Sequence, residues 1–256
     1  MKQMLGALAG QNWKVTVKEN LSADGMKSAI ADAFRGADED DICLFYYSGH
    51  GYSDYSPDDT QGALAGVDGS ELKGSQLAYA LDQATPGKVI VLLDSCGSGG
   101  LIYSGRNASG STDETVGQKA SDFVDSMIGA FGYFNARYRK QQQGLVSNTG
   151  ELIGDKFQVL AACAYRESSS ELQDDYASFG VFTHALVVSV TGNYPGVSSS
   201  YDGAMFRADT NRDSRISLNE AYTSVCEVVA YWKSIVQEID QATKKSGNGS
   251  FTLFFR

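Results

Sequence analysis

Apolar residues fall along this chain in runs of two periodicities, and the runs alternate. Trp13–Glu19 (WKVTVKE) alternates apolar with polar, the pattern of a half-exposed strand. Residues 22–36 then place Met26, Ile30, Ala33 and Phe34 on one helical face, with Ser22 as N-cap. Asp41–Tyr47 (DICLFYY) is a continuous apolar and aromatic run, which suits a strand covered on both faces. GSQLAYALDQA (74–84) predicts a short helix, and Lys88–Asp94 (KVIVLLD) and Lys156–Tyr165 (KFQVLAACAY) predict two further buried strands. VFTHALVVSVTG (181–192) reads as an apolar helix despite its β-branched residues. A long amphipathic helix is expected from Ser217 to Asp240, and GSFTLFF closes the chain as a last strand. Strands alternating with helices predict an α/β fold, an open and mostly parallel sheet flanked by helices.

Composition narrows the partners. With 256 residues, 42% of them hydrophobic and 20% charged, the chain has enough material for one globular domain over 1–256. A formal charge of −10 argues against nucleic acid or an anionic membrane as the main partner, and suits a neutral or basic substrate. No apolar run reaches the roughly 18 residues of a membrane span, and MKQMLGALAG lacks the pattern of a targeting segment. Cytoplasmic and secreted settings both remain open. Cys43, Cys96, Cys163 and Cys226 are scattered without C-x-x-C spacing, which excludes a disulfide framework and a zinc site from the expectations. A segment rich in Gly, Ser and Gln, 101–155, separates the second and third buried strands; loops of that length are functional or mobile.

Two strand ends carry reactive residues. YYSGHG ends on His50 between two glycines, and LLDSCGSGG puts Cys96 after the next buried strand. Ligands of open α/β sheets bind beyond the carboxyl ends of strands, so the fold can bring these residues together. A thiol whose pKa is lowered by an imidazole is a nucleophile for acyl transfer. Gly51 leaves its N–H unobstructed, an oxyanion donor beside the N–H of Cys96. The only other histidine, His184, sits in an apolar helical run and reads as structural.

These motifs, with VLAACAYRESSSEL and GVFTHAL, resemble the caspase-like cysteine peptidases, and within them the metacaspases and their bacterial relatives. The resemblance implies a caspase–haemoglobinase fold, a catalytic dyad of Cys96 and His50, an oxyanion hole from Gly51 and Cys96, and a protein substrate bound as an added strand. It also implies a long linker, 101–155, between parts like the large and small subunits. Two residues before the nucleophile stands Asp94, as in metacaspases; with Ser48 it would hold a basic P1 side chain, Arg in preference to Lys. Asp94 as a mere turn cap is the competing reading. An enzyme that cuts after basic residues would process its own linker, with Arg106, Lys119 and Lys140 as candidate sites. The family opens with a strand that this sequence lacks, so a missing N-terminal segment completing the sheet is an expected partner. A catalytically inactive caspase-like module that binds calcium or a partner is the alternative function.

A separate motif points to a metal. DTNRDSRISLNE (209–220) places Asp209, Asn211, Asp213, Ser217 and Glu220 at positions 1, 3, 5, 9 and 12 of an EF-hand-like loop, with the Arg215 carbonyl at position 7. Ser214 stands where that loop has glycine. The expected cofactor is Ca²⁺, structural or regulatory, held by an insertion independent of the catalytic motifs.

Overall fold

The computed structural model describes residues 1–8, 10–53, 62–96, 131, 156–162, 169–173, 178–192, 207–236, 239, 241 and 243–255. The linker, Phe131 apart, lies outside the described residues, and so do its candidate processing sites Arg106, Lys119 and Lys140.

In chain order the elements are α1 (Lys2–Ala7), α2 (Ala23–Ala33), β1 (Ile42–Ser53), β2 (Gly62–Ala65), β3 (Glu71–Lys73), α3 (Gly74–Ala84), β4 (Lys88–Cys96) and β5 (Phe157–Ala161). There follow β6 (Glu171–Gln173), β7 (Ser178–Gly180), α4 (Val181–Thr191), β8 (Arg215–Ser217), α5 (Leu218–Ile235), β9 (Lys244–Ser246) and β10 (Thr252–Phe255). Six strands form one sheet in the order β3–β2–β1–β4–β5–β9. Its centre, β1, β4 and β5, is parallel, and the flanking strands β2, β3 and β9 are antiparallel to their neighbours. The expected open α/β sheet is therefore present, with its parallel part at the core. Strands β6 and β7 pair with each other, as do β8 and β10.

Burial explains the continuous apolar runs. Every residue from Val89 to Leu93 is at most 1% exposed, so both faces of β4 are covered. Helices α1 and α5 pack on α4, whereas α2 packs on α3, giving two helix layers. Ser22 starts α2 as expected, its Oγ accepting the Gly25 N–H at 3.1 Å. Lys156, 4% exposed, pins the start of β5 to α3 by donating to the Asp82 carboxylate at 3.0 Å and the Asp82 carbonyl at 3.1 Å.

Three sequence expectations meet a different structure. Trp13–Glu19 forms no strand; it has the right alternation but no described neighbour to hydrogen-bond with, and a strand is defined by its partner. Helix α5 stops at Ile235 rather than near Asp240, because Val236 turns to an extended conformation at φ −113 and ψ 105. The last strand joins β8 instead of the main sheet, whose edge is taken by β9.

His184 is fully inside. It is 1% exposed on α4, its Nδ1 accepts the Trp232 Nε1–H at 3.0 Å, and its ring stacks on Phe179 with centroids 5.2 Å apart. Burial pushes its pKa down to about 4. Because the folded value lies below the unfolded ~6.5, this contribution to stability is complete above pH 6.5 and is lost as pH falls towards 4. The loss is on the order of 3 kcal/mol at ~1.4 kcal/mol per pH unit. Denaturant titrations from pH 7 to 4.5 should show a shallower decline for His184→Asn, which keeps an acceptor near Trp232 but cannot titrate. Parallel declines in the two proteins would refute the assignment.

Candidate active site

The carboxyl ends of β1 and β4 lie side by side. The parallel register runs from Ile42 opposite Lys88 to Ser48 opposite Asp94, Gly49 opposite Ser95 and His50 opposite Cys96. Alternate positions of a strand share a face, and paired positions of neighbouring strands share it too. Positions 46, 48 and 50 of β1 therefore lie on one face with positions 92, 94 and 96 of β4. Adjacent strands run about 4.8 Å apart. His50 and Ser48 are exposed.

Asp94 is 4% exposed, and its carboxylate faces the start of α4. It accepts the Thr183 N–H at 3.2 Å and the Ser169 hydroxyl at 3.2 Å, and the Thr183 hydroxyl also donates to it. Thr183 Oγ1 lies 2.7 Å from the Tyr46 hydroxyl, which links the carboxylate back to β1. Helix α4 has Gly180 at its N-cap and no side-chain cap of its own. Asp94 supplies that cap from the neighbouring strand, at the helix end whose dipole favours a negative charge. Gly180 permits it, since a Cβ there would run into the Asp94 carboxylate. Burial raises the pKa of Asp94, against the lowering effect of the Thr183 and Ser169 bonds. An ionised carboxylate offers about four acceptor sites; three donors use them here, which leaves room for one more.

The glycine before the histidine serves Tyr47. A Cβ on Gly49 would approach the Tyr47 hydroxyl to 2.9 Å and its Cζ to 3.1 Å, so the tyrosine ring folds back along the strand only over a glycine. The Tyr47 hydroxyl then donates to the His50 carbonyl at 2.7 Å, with Ala65 O at 3.2 Å as a second acceptor. In a trans peptide the C=O and the following N–H point opposite ways. Holding the His50 carbonyl therefore turns the Gly51 N–H the other way, away from the Tyr47 hydroxyl. Sequence reasoning missed Tyr47, Thr183, Ser169 and Gly180. Tyr47 lies in YYSGHG, Ser169 in VLAACAYRESSSEL, and Gly180 and Thr183 in GVFTHAL, but nothing local distinguishes them from their neighbours in those runs.

The two free thiols described are poor nucleophiles. Cys43 is buried and its pKa is pushed up to about 11 by burial; burial also raises that of Cys226. His184, on α4 among Phe179 and Trp232, is no base for either strand end.

The loop 209–220 sits apart from these strands. Ser214 takes φ 64, the left-handed conformation that position 6 of such a loop requires, and Arg212 takes φ 62. Asp209 accepts the N–H groups of Asp213 at 3.1 Å and Ser214 at 2.9 Å; Asn211 accepts that of Asp213 at 2.9 Å, and Asp213 that of Arg215 at 2.8 Å. Ser217 N-caps α5 in a capping box with Glu220. Burial pulls the Glu220 pKa up, but the Ser217, Asn211 and Thr210 bonds prevail and hold it below the usual value. Strand β8, inside the loop, pairs antiparallel with β10. Among the described residues no three His, Cys, Asp or Glu side chains are gathered as a ready-made metal cluster.

A doubly covered α/β sheet with His50 and Cys96 near the carboxyl ends of adjacent parallel strands has the layout of a ligand-binding α/β protein. The caspase domain family model matches residues 1–247, and the chain belongs to that family. It is 26% identical over 136 residues to Metacaspase-4 of Arabidopsis thaliana, an alignment covering 50% of this chain and 32% of that protein. The matched region thus spans about a third of the curated relative's length. A crystal structure of protein GSU0716 from Geobacter sulfurreducens aligns over 98% of this chain and 83% of that one, with 22% identity and a TM-score of 0.47.

Proposed function

We propose that this chain is a cysteine endopeptidase that cuts after Arg or Lys through Cys96 and His50. The observation that carries the reading is the register of β1 on β4, in which positions 50 and 96 are direct partners at neighbouring strand ends. In this mechanism the Cys96 thiolate attacks the scissile carbonyl, and the Gly51 and Cys96 N–H groups receive the developing oxyanion. Collapse expels the amine, which takes its proton from the His50 imidazolium. Water, deprotonated by His50, then hydrolyses the thioester and restores the thiol. Asp94 and Ser48, paired in register two positions before the dyad, hold the P1 cation. Arg can donate one N–H to the remaining acceptor site of Asp94 and another to the Ser48 hydroxyl, whereas Lys is a single point charge, so Arg is favoured.

Incubation with an arginyl chloromethylketone should add one inhibitor mass, located at Cys96 by peptide mapping. An aspartyl analogue should label far more slowly. Labelling by neither would favour an inactive binding module; preferential labelling by the aspartyl reagent would overturn the specificity.

Calcium at the 209–220 loop is the second part of the proposal, favoured by the left-handed Ser214 at the turn position. Asp209, Asn211, Asp213, Glu220 and the Arg215 carbonyl would hold the ion, with Ser217 at position 9. Bound there, Ca²⁺ would draw the carboxylates of Asp209, Asp213 and Glu220 together and clamp α5 against β8. At about ten times its dissociation constant it would add ~1.4 kcal/mol of stability. The melting temperature should therefore rise by several degrees from EDTA to millimolar calcium in the wild type and not in Asp209→Ala. Equal melting in both media would eliminate the ion.

A further inference from the structure

Tyr46 carries a hydroxyl where packing alone asks for none. It lies half-buried against the hydrophobic core, in the apolar run of β1, and the ring of a phenylalanine would fill the same space. In register it stands opposite Leu92, and it shares its strand face with Ser48 and His50. Its hydroxyl lies 2.7 Å from Thr183 Oγ1, in the first turn of α4.

Counting protons gives that contact a direction. An ionised carboxylate only accepts, so the single proton of the Thr183 hydroxyl goes to Asp94. Thr183 Oγ1 can then only accept from Tyr46, which spends its own proton there. The Ser48 hydroxyl also bonds the phenol. With the phenol proton spent, Ser48 is the donor in that bond. The chain therefore runs from Ser48 to Tyr46 to Thr183 to Asp94, every hydroxyl pointing the same way. Ser48 turns its proton inward and keeps a lone pair for the pocket. Burial raises the pKa of Tyr46, against the lowering effect of its Ser48 and Thr183 bonds, and the Asp94 charge raises it further. The phenol thus keeps its proton at neutral pH and stays a donor.

We propose that Tyr46 sets the proton order of this pocket and is thereby a positioning residue for the binding of a P1 guanidinium. The inference rests on the basic specificity put forward above and goes one step beyond it. With the order set, an arginine donates to the remaining acceptor site of Asp94 at one end and to the Ser48 oxygen at the other. That closes a ring of hydrogen bonds running in one direction, and bonds in such a series polarise one another. Without the phenol, Ser48 is free to turn its proton into the pocket, against the cation. The Thr183 hydroxyl also loses the donor behind it and gives Asp94 a weaker bond, so the ionised carboxylate is less well stabilised. Asp94 is faced by Thr183 from α4, by Ser169, and by the charge of Glu171 from β6, which raises its pKa. His50 stands on the β1 face of Tyr46. A change confined to the phenol hydroxyl leaves all of these in place.

Tyr46→Phe keeps the ring and removes only the hydroxyl. Its kcat/KM ratio for an arginyl over a neutral norleucyl reporter should fall about three- to tenfold, the worth of about one hydrogen bond, with the loss appearing in the arginyl KM. Selectivity that needs ionised Asp94 is present above the pKa of that group and lost below it. A less stabilised carboxylate has a higher pKa, so the pH at which the ratio is half lost should move up by about half a unit or more. The ratio cancels the titration of His50 and Cys96, which both reporters need. In a Thr183→Val background Tyr46→Phe should cost nothing further, because the link it acts through is gone. In a Thr183→Ser background, which keeps the hydroxyl, the full loss should return. Melting curves establish that each variant is folded. A tyrosine that only packs would slow both reporters alike, leave the pH midpoint in place, or add its loss to that of Thr183→Val, and any of these overturns the inference. A wild type with no arginyl preference would overturn the basic specificity and this inference with it; a selective wild type matched by Tyr46→Phe would overturn this inference alone.

Discussion

Cys96→Ala is expected to lower kcat/KM for an arginyl reporter by about ten-thousand-fold or more, and His50→Ala by a comparable factor. The double variant should be no worse than the poorer single one. A nucleophile and its base act as a unit, so removing either forfeits most of what the pair supplies. Independent roles would multiply instead. Stability should hardly change in His50→Ala, because the side chain is exposed and no packing is lost. Steady-state rates of the three variants, alongside their melting curves, check this. Multiplying losses, or residual activity near the wild type in Cys96→Ala, would sink the dyad.

How much of this was legible depends on where the determinants lie. The central strands were readable because a sheet covered on both faces leaves continuous apolar runs, and Val89–Leu93 is at most 1% exposed throughout. That Cys96 ends its strand was readable for the same reason, since the run stops at its motif; that β1 continues past His50 to Ser53 was not, because GHGYS carries no apolar run. The direct pairing of 50 with 96 follows from register, which no local pattern encodes between parallel strands joined by a crossover. Strand β9, Lys244–Ser246, was missed because a three-residue edge strand needs no apolar pattern.

The surroundings of Asp94 were illegible for a different reason. Thr183 and Ser169 are 89 and 75 residues away in sequence, and only tertiary packing brings α4's first turn onto the carboxylate. Alternation in WKVTVKE was read as a strand because the pattern reports which side chains suit a sheet, and not whether a neighbour is present. Segment 12–20 keeps the pattern and faces a groove.

Asp94→Asn should separate the two roles of that carboxylate. Thr183 and Ser169 all donate towards it, so an amide puts a donor against donors at the start of α4. That costs about 1–3 kcal/mol of stability and affects every substrate alike through the displaced helix. Charge pairing affects basic substrates alone. Truncating one partner of a buried charged pair costs about 2–5 kcal/mol, so selectivity for an arginyl over a neutral norleucyl reporter should fall roughly a hundredfold, ~2.7 kcal/mol at tenfold per 1.4 kcal/mol. Acid should reproduce the effect in the wild type. Burial raises the Asp94 pKa, so arginyl selectivity disappears as pH falls through that raised value. The same protonation relieves the burial penalty, and through this group stability rises as selectivity falls. Should Asp94→Asn slow both reporters equally, the carboxylate is a helix cap and nothing more, and the basic specificity must come from elsewhere.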